Sequence, residues 1–118
     1  MRDFKELKVW QKAHQFTLAV YRHTANFPPE ERFGLTVQLR KAASSVPSNI
    51  AEGCGRTSDR EFAHFLGIAA GSASEAEYQL LLAKDLTYLQ PHVHRDLDNQ
   101  VNEIKRMLNA FIKTLTPG

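Results

Sequence analysis

The sequence predicts an all-α protein, a single domain over residues 1–118 that folds as an antiparallel up-down-up-down four-helix bundle. Apolar residues recur at steps of three and four in four separate segments, which is the pattern of one buried helix face. Prolines and glycines separate these segments by short connections, so consecutive helices are expected to run antiparallel. No segment shows the alternating pattern of a β-strand. The helices are predicted at about residues 5–26, 30–53, 59–89 and 93–115.

The first helix carries one apolar seam, which Leu7, Leu18 and Tyr21 widen. It is expected to end at the Phe27-Pro28-Pro29 sequence, because a proline disfavours helical geometry in the residue before it. The seam consists of Trp10, Ala13, Thr17, Val20, Thr24 and Phe27.

The second helix is expected to start at Pro29-Glu30-Glu31, since proline is tolerated in a first turn and acidic residues favour the positive end of the helix dipole. Gly53-Cys54-Gly55 is expected to end it, because glycine accepts the left-handed geometry of a C-terminal cap. The seam of this helix consists of Leu35, Leu39, Ala42, Val46 and Ile50.

Pro47 lies in the interior of the second helix, where a proline removes one backbone donor and typically costs about 3 kcal/mol or more. A single helix kinked near Pro47 is favoured, because the spacing of the apolar residues keeps its phase across the proline. Two short helices joined by a turn at Ser44-Ser45 are the alternative.

The third and fourth helices follow the same pattern. Ser58-Asp59-Arg60-Glu61 is a capping box that predicts the start of the third helix. The centre of this helix is made of small residues, and its Gly71 predicts a packing role, since glycine costs about 1 kcal/mol relative to alanine in a helix. Leu89-Gln90-Pro91 separates the last two helices. Their seams consist of Phe62, Leu66, Ala69, Ala73, Ala76, Leu80 and Ala83, and of Leu97, Val101, Ile104, Leu108, Phe111 or Ile112, and Leu115.

The composition is that of a soluble globular protein, with 42% hydrophobic and 24% charged residues. Residues 1–60 hold ten Lys/Arg and six Asp/Glu, a balance of +4, whereas residues 61–118 hold five and seven, a balance of −2. A single cysteine, an N-terminus without an apolar signal region and the absence of a long apolar run predict a cytoplasmic protein without a membrane segment.

The chain resembles the four helix bundle proteins, also called 23S rRNA intervening-sequence or S23-type proteins. Nearly the whole chain takes part, and the order and spacing of the shared residues make the resemblance specific. The shared residues are Leu7, Val9-Trp10-Gln11-Lys12-Ala13, Tyr21, Phe27-Pro28, Glu31, Phe33-Gly34-Leu35, Gln38-Leu39-Arg40, Ala42, Ser45, Val46-Pro47-Ser48-Asn49-Ile50-Ala51-Glu52-Gly53, Arg56, Phe62, Phe65-Leu66, Ala69, Gly71-Ser72, Glu75 and Glu77.

This resemblance implies a left-handed four-helix bundle and a ring-shaped homopentamer with a central channel. The chain is also similar to the accessory protein of diversity-generating retroelements, a basic pentameric barrel that binds nucleic acid and the reverse transcriptase of the element. The present chain is less basic, with a formal net charge of +2.

A polar set on the second and third helices is the first candidate site. Ser45, Asn49 and Glu52 are spaced to share one helical stripe, and Ser72 and Glu75 share another. One interpretation is a small polar site between the two helices, which an enzyme would use through Asn49, Glu52 and Glu75. The favoured interpretation is a hydrogen-bond network that fixes helix register or a subunit interface. The full set is Gln38, Ser45, Asn49, Glu52, Ser72 and Glu75.

A basic set on the first two helices is the second candidate, as a nucleic-acid-binding surface. Lysine and arginine release counterions from nucleic acid, and a ring of subunits repeats every such patch around its axis. The alternative is an ordinary solvated surface with some arginines paired to carboxylates. The set is Lys5, Lys8, Lys12, Arg40, Lys41, Arg56 and Arg60.

No residue pattern predicts catalysis, a metal or a cofactor. His92 and His94 have only Asp96 and Asp98 as further local ligands, which makes a weak metal signal. Cys54 lies near Arg56, where a lowered thiol pKa is conceivable, but no partner histidine is near it in sequence.

The Gly53-x-Gly55 pair is a weak signal of a phosphate loop, because it follows a helix and lacks the Lys-Ser/Thr of a P-loop.

The predicted function is therefore a non-enzymatic, oligomeric scaffold that binds RNA or a nucleoprotein through basic surfaces. A ring that acts as an adaptor between proteins is the alternative, and an enzyme that uses the polar stripe ranks third.

Overall fold

A computed structural model describes residues 2–116, and it confirms the four-helix bundle. Each helix packs on the next one in sequence, and the fourth returns to the first, which closes the bundle. The molecule measures 44 × 22 × 21 Å, and residues 2–116 contain no strand. The elements are α1 (Lys8–Thr24), α2 (Leu35–Cys54), α3 (Asp59–Asp85) and α4 (Pro91–Leu115), with 3₁₀ turns at Phe4–Glu6 and Pro29–Glu31.

Two predicted helix starts are wrong by several residues, because short 3₁₀ turns occupy the first residues. The backbone N–H of Lys5 donates to Asp3 Oδ1 over 3.0 Å and stabilises the first turn, so α1 begins three residues later. The predicted start at Pro29-Glu30-Glu31 forms the second turn. Its Glu31 carboxylate then accepts the backbone N–H of Leu35 over 3.0 Å, which provides a cap where α2 begins.

The start of α3 is confirmed, and its end is four residues earlier than predicted. The backbone N–H of Glu61 donates to Ser58 Oγ over 3.1 Å, as expected of a capping box. The helix ends at Asp85, and Thr87 follows with a φ of 65°. This left-handed residue reverses the chain toward α4.

The helix α2 runs without a break through Pro47, so the alternative of two helices with a turn at Ser44-Ser45 is wrong. The proline leaves the carbonyl of Ala43 without a helical donor. The Thr17 hydroxyl of α1 lies 3.1 Å from this oxygen and 2.8 Å from the carbonyl oxygen of Ala13. The single hydroxyl proton of Thr17 is therefore shared between the two carbonyls, and it brings a donor from the neighbouring helix within reach of the one that the proline leaves open. The kink stays a prediction.

The glycines at the end of α2 do not form the predicted left-handed cap, since Gly55 has a φ of −82°. Gly53 is buried inside the helix against α3. A Cβ atom at this position would lie 2.7 Å from Phe62 Cδ1 and 3.0 Å from Phe65 Cβ. This glycine is required by the close approach of two helices.

Gly71 shows the opposite situation: residues 2–116 contain no packing partner for it, and a packing role against a neighbouring copy stays a prediction. It lies on the outer face of α3, where a Cβ atom would meet no other described part of the chain within 4 Å. Gly67, one turn earlier, is equally open. The same face exposes Ile68, Tyr78 and Leu81. These residues form an outer face of α3 that the rest of residues 2–116 leaves largely exposed, with Tyr78 and Leu81 bordering a groove toward α4.

The core contains the predicted seams with few exceptions. Leu18 and Tyr21 are 40% and 45% exposed, so they lie outside the core instead of widening the first seam. No helix within residues 2–116 has the length and apolar character needed to cross a bilayer. The large, fully buried side chains are Phe16, Val20, Leu39, Val46, Ile50, Phe62, Leu66, Leu80, Leu97, Val101, Ile104 and Leu108.

Candidate nucleic-acid interface

The predicted polar set lies largely together, in a groove of about 380 Å³ between α2 and α3. Ser72 Oγ donates to Ser45 Oγ over 3.0 Å, and Asn49 Nδ2 donates to the same hydroxyl over 2.9 Å. These contacts join the two helices through three polar side chains. The groove is lined by Gln38, Lys41, Ala42, Ser45, Ser72 and Glu75.

Glu52 does not join this polar groove. Its carboxylate is exposed and lies 3.8 Å from the guanidinium of Arg56, one turn further along the chain. Because the hydroxyls of Ser45 and Ser72 are engaged with each other and with Asn49, this geometry favours a network that fixes the register of α2 against α3.

The predicted basic set is divided among three places on the surface. Lys8 and Lys12 line a groove of about 430 Å³ between α1 and α4. Lys12 Nζ lies 3.0 Å from the Glu103 carboxylate, which also lines this groove. The charge of this part of the surface is therefore partly neutralised within the chain.

A second part of the basic set lies where α2 ends and α3 begins. The Arg56 guanidinium lies 4.8 Å from the Phe65 ring centroid and pairs with Glu52. Arg60 and Lys5 are exposed, and acidic residues lie close to both in sequence. Carboxylates are thus interspersed with the cations at this end of the bundle.

The third part lies in a groove of about 370 Å³ formed by the end of α1 and the start of α2. It contains the predicted Arg40 and Lys41 and adds Arg32. Within the described chain, no Asp or Glu lines this groove. We call it the basic groove, and its lining residues are Tyr21, Arg32, Thr36, Val37, Arg40 and Lys41.

Arg40 is held in a fixed position in the basic groove. Its Nε donates to Thr24 Oγ1 over 2.7 Å, and its Nη2 donates to the carbonyl oxygen of Tyr21 over 3.2 Å. The guanidinium also lies 4.6 Å from the Tyr21 ring centroid. These contacts cap the C-terminal end of α1, where the helix dipole favours a cation. Two of the five N–H donors are used, and three remain.

The Thr36 hydroxyl lies without a partner beside this arginine. Thr36 is 9% exposed and lines the groove, and its Oγ1 has no hydrogen-bond partner among residues 2–116. A buried hydroxyl without a partner costs free energy. The chain keeps this unfavourable hydroxyl beside a groove that has no carboxylate among its described lining residues.

Glu31, which has the carboxylate nearest to Arg32 in sequence, already accepts two other hydrogen bonds. Glu31 accepts the backbone N–H of Leu35 and, over 2.9 Å, the hydroxyl of Tyr88. The negative carboxylate raises the pKa of Tyr88, because it stabilises the protonated phenol. Arg32 and Lys41 form no ion pair with described residues.

Arg32 and Phe33 are the candidate functional residues that the sequence analysis did not select. The Arg32 guanidinium lies 5.0 Å from the Phe33 ring centroid, and this phenylalanine is 83% exposed. The sequence feature that could have indicated them is an aromatic residue directly after a basic one, in the connection before α2.

The remaining candidates do not form a chemical site. Burial raises the pKa of the Cys54 thiol, and the positive charge of Arg2 only partly opposes this effect. The lowered thiol pKa considered from the sequence is therefore wrong. His92 and His94 are not part of any group of three His, Cys, Asp or Glu side chains placed to hold a metal within residues 2–116.

The comparisons with known proteins agree with this architecture. The chain is similar to a solved structure, that of a protein of unknown function from the S23 ribosomal protein family of Bacteroides thetaiotaomicron. The two sequences are 27% identical, and the two structures superpose with a TM-score of 0.80. The match covers 89% of this chain and 98% of the other. No curated protein matches the sequence. The profile of the 23S rRNA-intervening sequence proteins matches residues 5–110, and the chain therefore belongs to this family.

Proposed function

We propose that this protein is a non-enzymatic, oligomeric scaffold that binds RNA, or an RNA-containing complex, through the basic groove. The observation that carries the proposal is the set of three cations, Arg32, Arg40 and Lys41, in a groove without a carboxylate among its described lining residues. Elsewhere, Lys12 and Arg56 of the predicted basic set pair with carboxylates. Unpaired cations in a concave surface attract phosphate groups through charge and counterion release.

The oligomeric part of the proposal is supported by the outer face of α3. Gly67 and Gly71 leave open space there, and Tyr78 is 61% exposed beside Leu81. Helical glycines allow the backbone of another copy to approach closely, and exposed apolar side chains supply area for it to bury. A ring of five copies, which the family resemblance implies, would repeat the basic groove five times and increase avidity.

The test is a salt titration of RNA binding by nuclease-treated protein. The double variant R32E/K41E reverses two groove charges, and R106E/K113E makes the same change in net charge on α4. We expect R32E/K41E to weaken binding by roughly tenfold or more and to reduce the slope of log K against log salt by about 1.4 for single-stranded RNA. The α4 variant should bind RNA as the unchanged protein does.

Loss of binding in both variants to the same extent would contradict a role for the groove and leave only a general charge effect. No binding by the unchanged protein at low salt would contradict the RNA-binding proposal itself.

An adaptor between proteins is the second candidate, and the outer face of α3 favours it. If this face binds another protein and not another copy, the chain should remain a monomer in light scattering. A partner should then co-purify after nuclease treatment, and Y78E should release it. A stable oligomer of the chain alone that Y78E dissociates would instead support the scaffold proposal.

A further inference from the structure

We infer that the basic groove accepts a single-stranded segment of RNA, with one phosphate held by Arg40 and Lys41 and one base stacked on Phe33. This inference rests on the proposed function, because it names the form of nucleic acid that the same groove binds. Three features carry it: a fixed guanidinium, a hydroxyl without a partner among residues 2–116, and an exposed aromatic ring that lies against Arg32 of the groove.

The phosphate position follows from Arg40. Thr24 and Tyr21 hold its guanidinium through Nε and Nη2, so little side-chain freedom is lost when a ligand binds. The remaining N–H donors of a guanidinium match the spacing of phosphate oxygens. Lys41 lines the same groove and adds a second positive charge.

Thr36 gives an independent indication that a ligand belongs here. Its Oγ1 lacks a partner within residues 2–116, although the residue is more than nine-tenths buried. Threonine in a helix divides between two side-chain rotamers, so the hydroxyl can turn toward the groove that the residue lines. A phosphate oxygen would supply the acceptor that the described chain does not.

The base position follows from Phe33. The ring is 83% exposed, which is the highest value among the large hydrophobic residues that the structure describes as exposed. The guanidinium of Arg32 lies 5.0 Å from its centroid and leaves most of the ring open. Stacking of one base on an aromatic side chain contributes about 1–3 kcal/mol and tolerates any base.

The combination selects a single strand over a duplex. In an A-form duplex the bases are stacked inside the helix, and recognition uses phosphates and 2′-hydroxyls. A base that is free to leave the stack can lie on Phe33 while its neighbouring phosphate reaches Arg40. A duplex can use the cations of the basic groove but not the ring.

The test measures fluorescence anisotropy of a labelled oligouridylate and of an RNA duplex with the same number of phosphates. F33L removes the ring but keeps an apolar side chain. F65L makes the same change at the other end of the bundle, where the Arg56 guanidinium lies 4.8 Å from the ring centroid. We expect F33L to weaken single-strand binding by about tenfold, since the stacking contribution is lost. The salt slope and the affinity for duplex should not change, and F65L should bind single strands as the unchanged protein does.

A second variant examines the phosphate position. R40K keeps the charge and loses the planar fork, so we expect severalfold weaker binding at an unchanged salt slope. Thermal unfolding of each variant shows whether the bundle is intact, because Arg40 also caps α1.

The outcomes separate the two proposals. If the unchanged protein binds neither RNA, both fail. If R32E/K41E weakens binding but F33L binds single strands and duplexes as before, the scaffold proposal stands and the single-strand inference is overturned.

Discussion

The contact between α1 and α2 contains two threonine hydroxyls in opposite situations. Thr17, in the middle of the contact, lies within hydrogen-bond distance of the carbonyl oxygens of Ala13 and Ala43. Thr36, at the outer end, has no partner among the described residues. The first hydroxyl lies within reach of the carbonyl that Pro47 leaves without a helical donor, whereas the second lies in a groove that holds three cations.

This difference separates structural polar groups from groups available to a ligand. Thr17 has two acceptors within reach in the bundle, and Ser45 Oγ accepts from both Ser72 and Asn49 between α2 and α3. Around Thr36 and Arg40 the described residues leave a hydroxyl, N–H donors and positive charge without partners. Variants at contacts between helices, where side chains already have partners, should therefore change the free energy of unfolding. Variants of the basic groove should change RNA binding.

The largest expected change in the free energy of unfolding is at Gly53, where α2 packs closely against α3. G53A places a methyl group 2.7 Å from the Phe62 ring, and we expect a loss of about 2 kcal/mol in the free energy of unfolding. Its matched control is G71A, at an open helical position, where we expect a gain of about 0.5 kcal/mol for the monomer. Urea unfolding measures both, and equal effects would contradict the packing described for Gly53.

The second prediction concerns Thr17. T17V keeps the shape of the side chain but leaves the Ala43 carbonyl without a donor, and we expect a loss of about 1.5 kcal/mol. In a P47A background the alanine N–H can donate to this carbonyl, so T17V should cost less there. Urea unfolding of the four proteins of this cycle gives the coupling energy. Additive effects would show that Thr17 does not compensate for the proline.

The third prediction concerns Thr36, where we expect the valine variant to raise the free energy of unfolding instead of lowering it. T36V removes a buried hydroxyl without a partner, so we expect the free energy of unfolding to rise by about 0.5 kcal/mol. The same change should weaken binding of single-stranded RNA severalfold, because the phosphate loses one donor. Urea unfolding and anisotropy measure the two effects. A less stable variant with unchanged affinity would assign this hydroxyl to the fold.

The smallest expected change in the free energy of unfolding concerns Lys105 and Glu77, which form an ion pair, whereas the basic groove has no carboxylate among its described lining residues. Lys105 Nζ lies 2.7 Å from Glu77 Oε1, and this hydrogen bond lowers the pKa of the Glu77 carboxyl. A lowered folded-state pKa stabilises the fold above the ordinary pKa of glutamate, and this contribution is lost as the pH falls through the folded value.

E77Q should therefore be less stable than the unchanged protein near neutral pH by a few tenths of a kcal/mol, since the pair is partly exposed. In acid the difference between the two proteins should disappear. Urea unfolding across this pH range is the measurement, and a difference independent of pH would show that the charge of Glu77 has no part in it.

The sequence predicted the helices well, because periodic apolar residues and the Ser58 capping box act locally. It also grouped most of the polar set correctly, since Ser45 and Asn49 share a stripe that faces α3. It could not distinguish a glycine that ends a helix from one that allows close packing, so Gly53 was assigned the wrong role.

The basic set shows the other limit. Spacing along one helix indicates which residues share a face, but not which helix or which carboxylate lies opposite. Lys12 and Arg56 were therefore grouped with Arg40, although Glu103 and Glu52 pair with them. Arg32 joins the groove because the connection before α2 places it with Tyr21 of α1 and Arg40 of α2.

Photo-cross-linking of thiouridine-substituted, single-stranded RNA to the intact protein, followed by mass spectrometry of the peptides, tests the central claim most directly. We predict adducts concentrated on residues 32–41 and on Tyr21, which disappear when unlabelled oligouridylate competes. Adducts concentrated around Lys8 and Lys12 on the α1–α4 groove, or spread evenly over the surface, would contradict RNA binding in the basic groove.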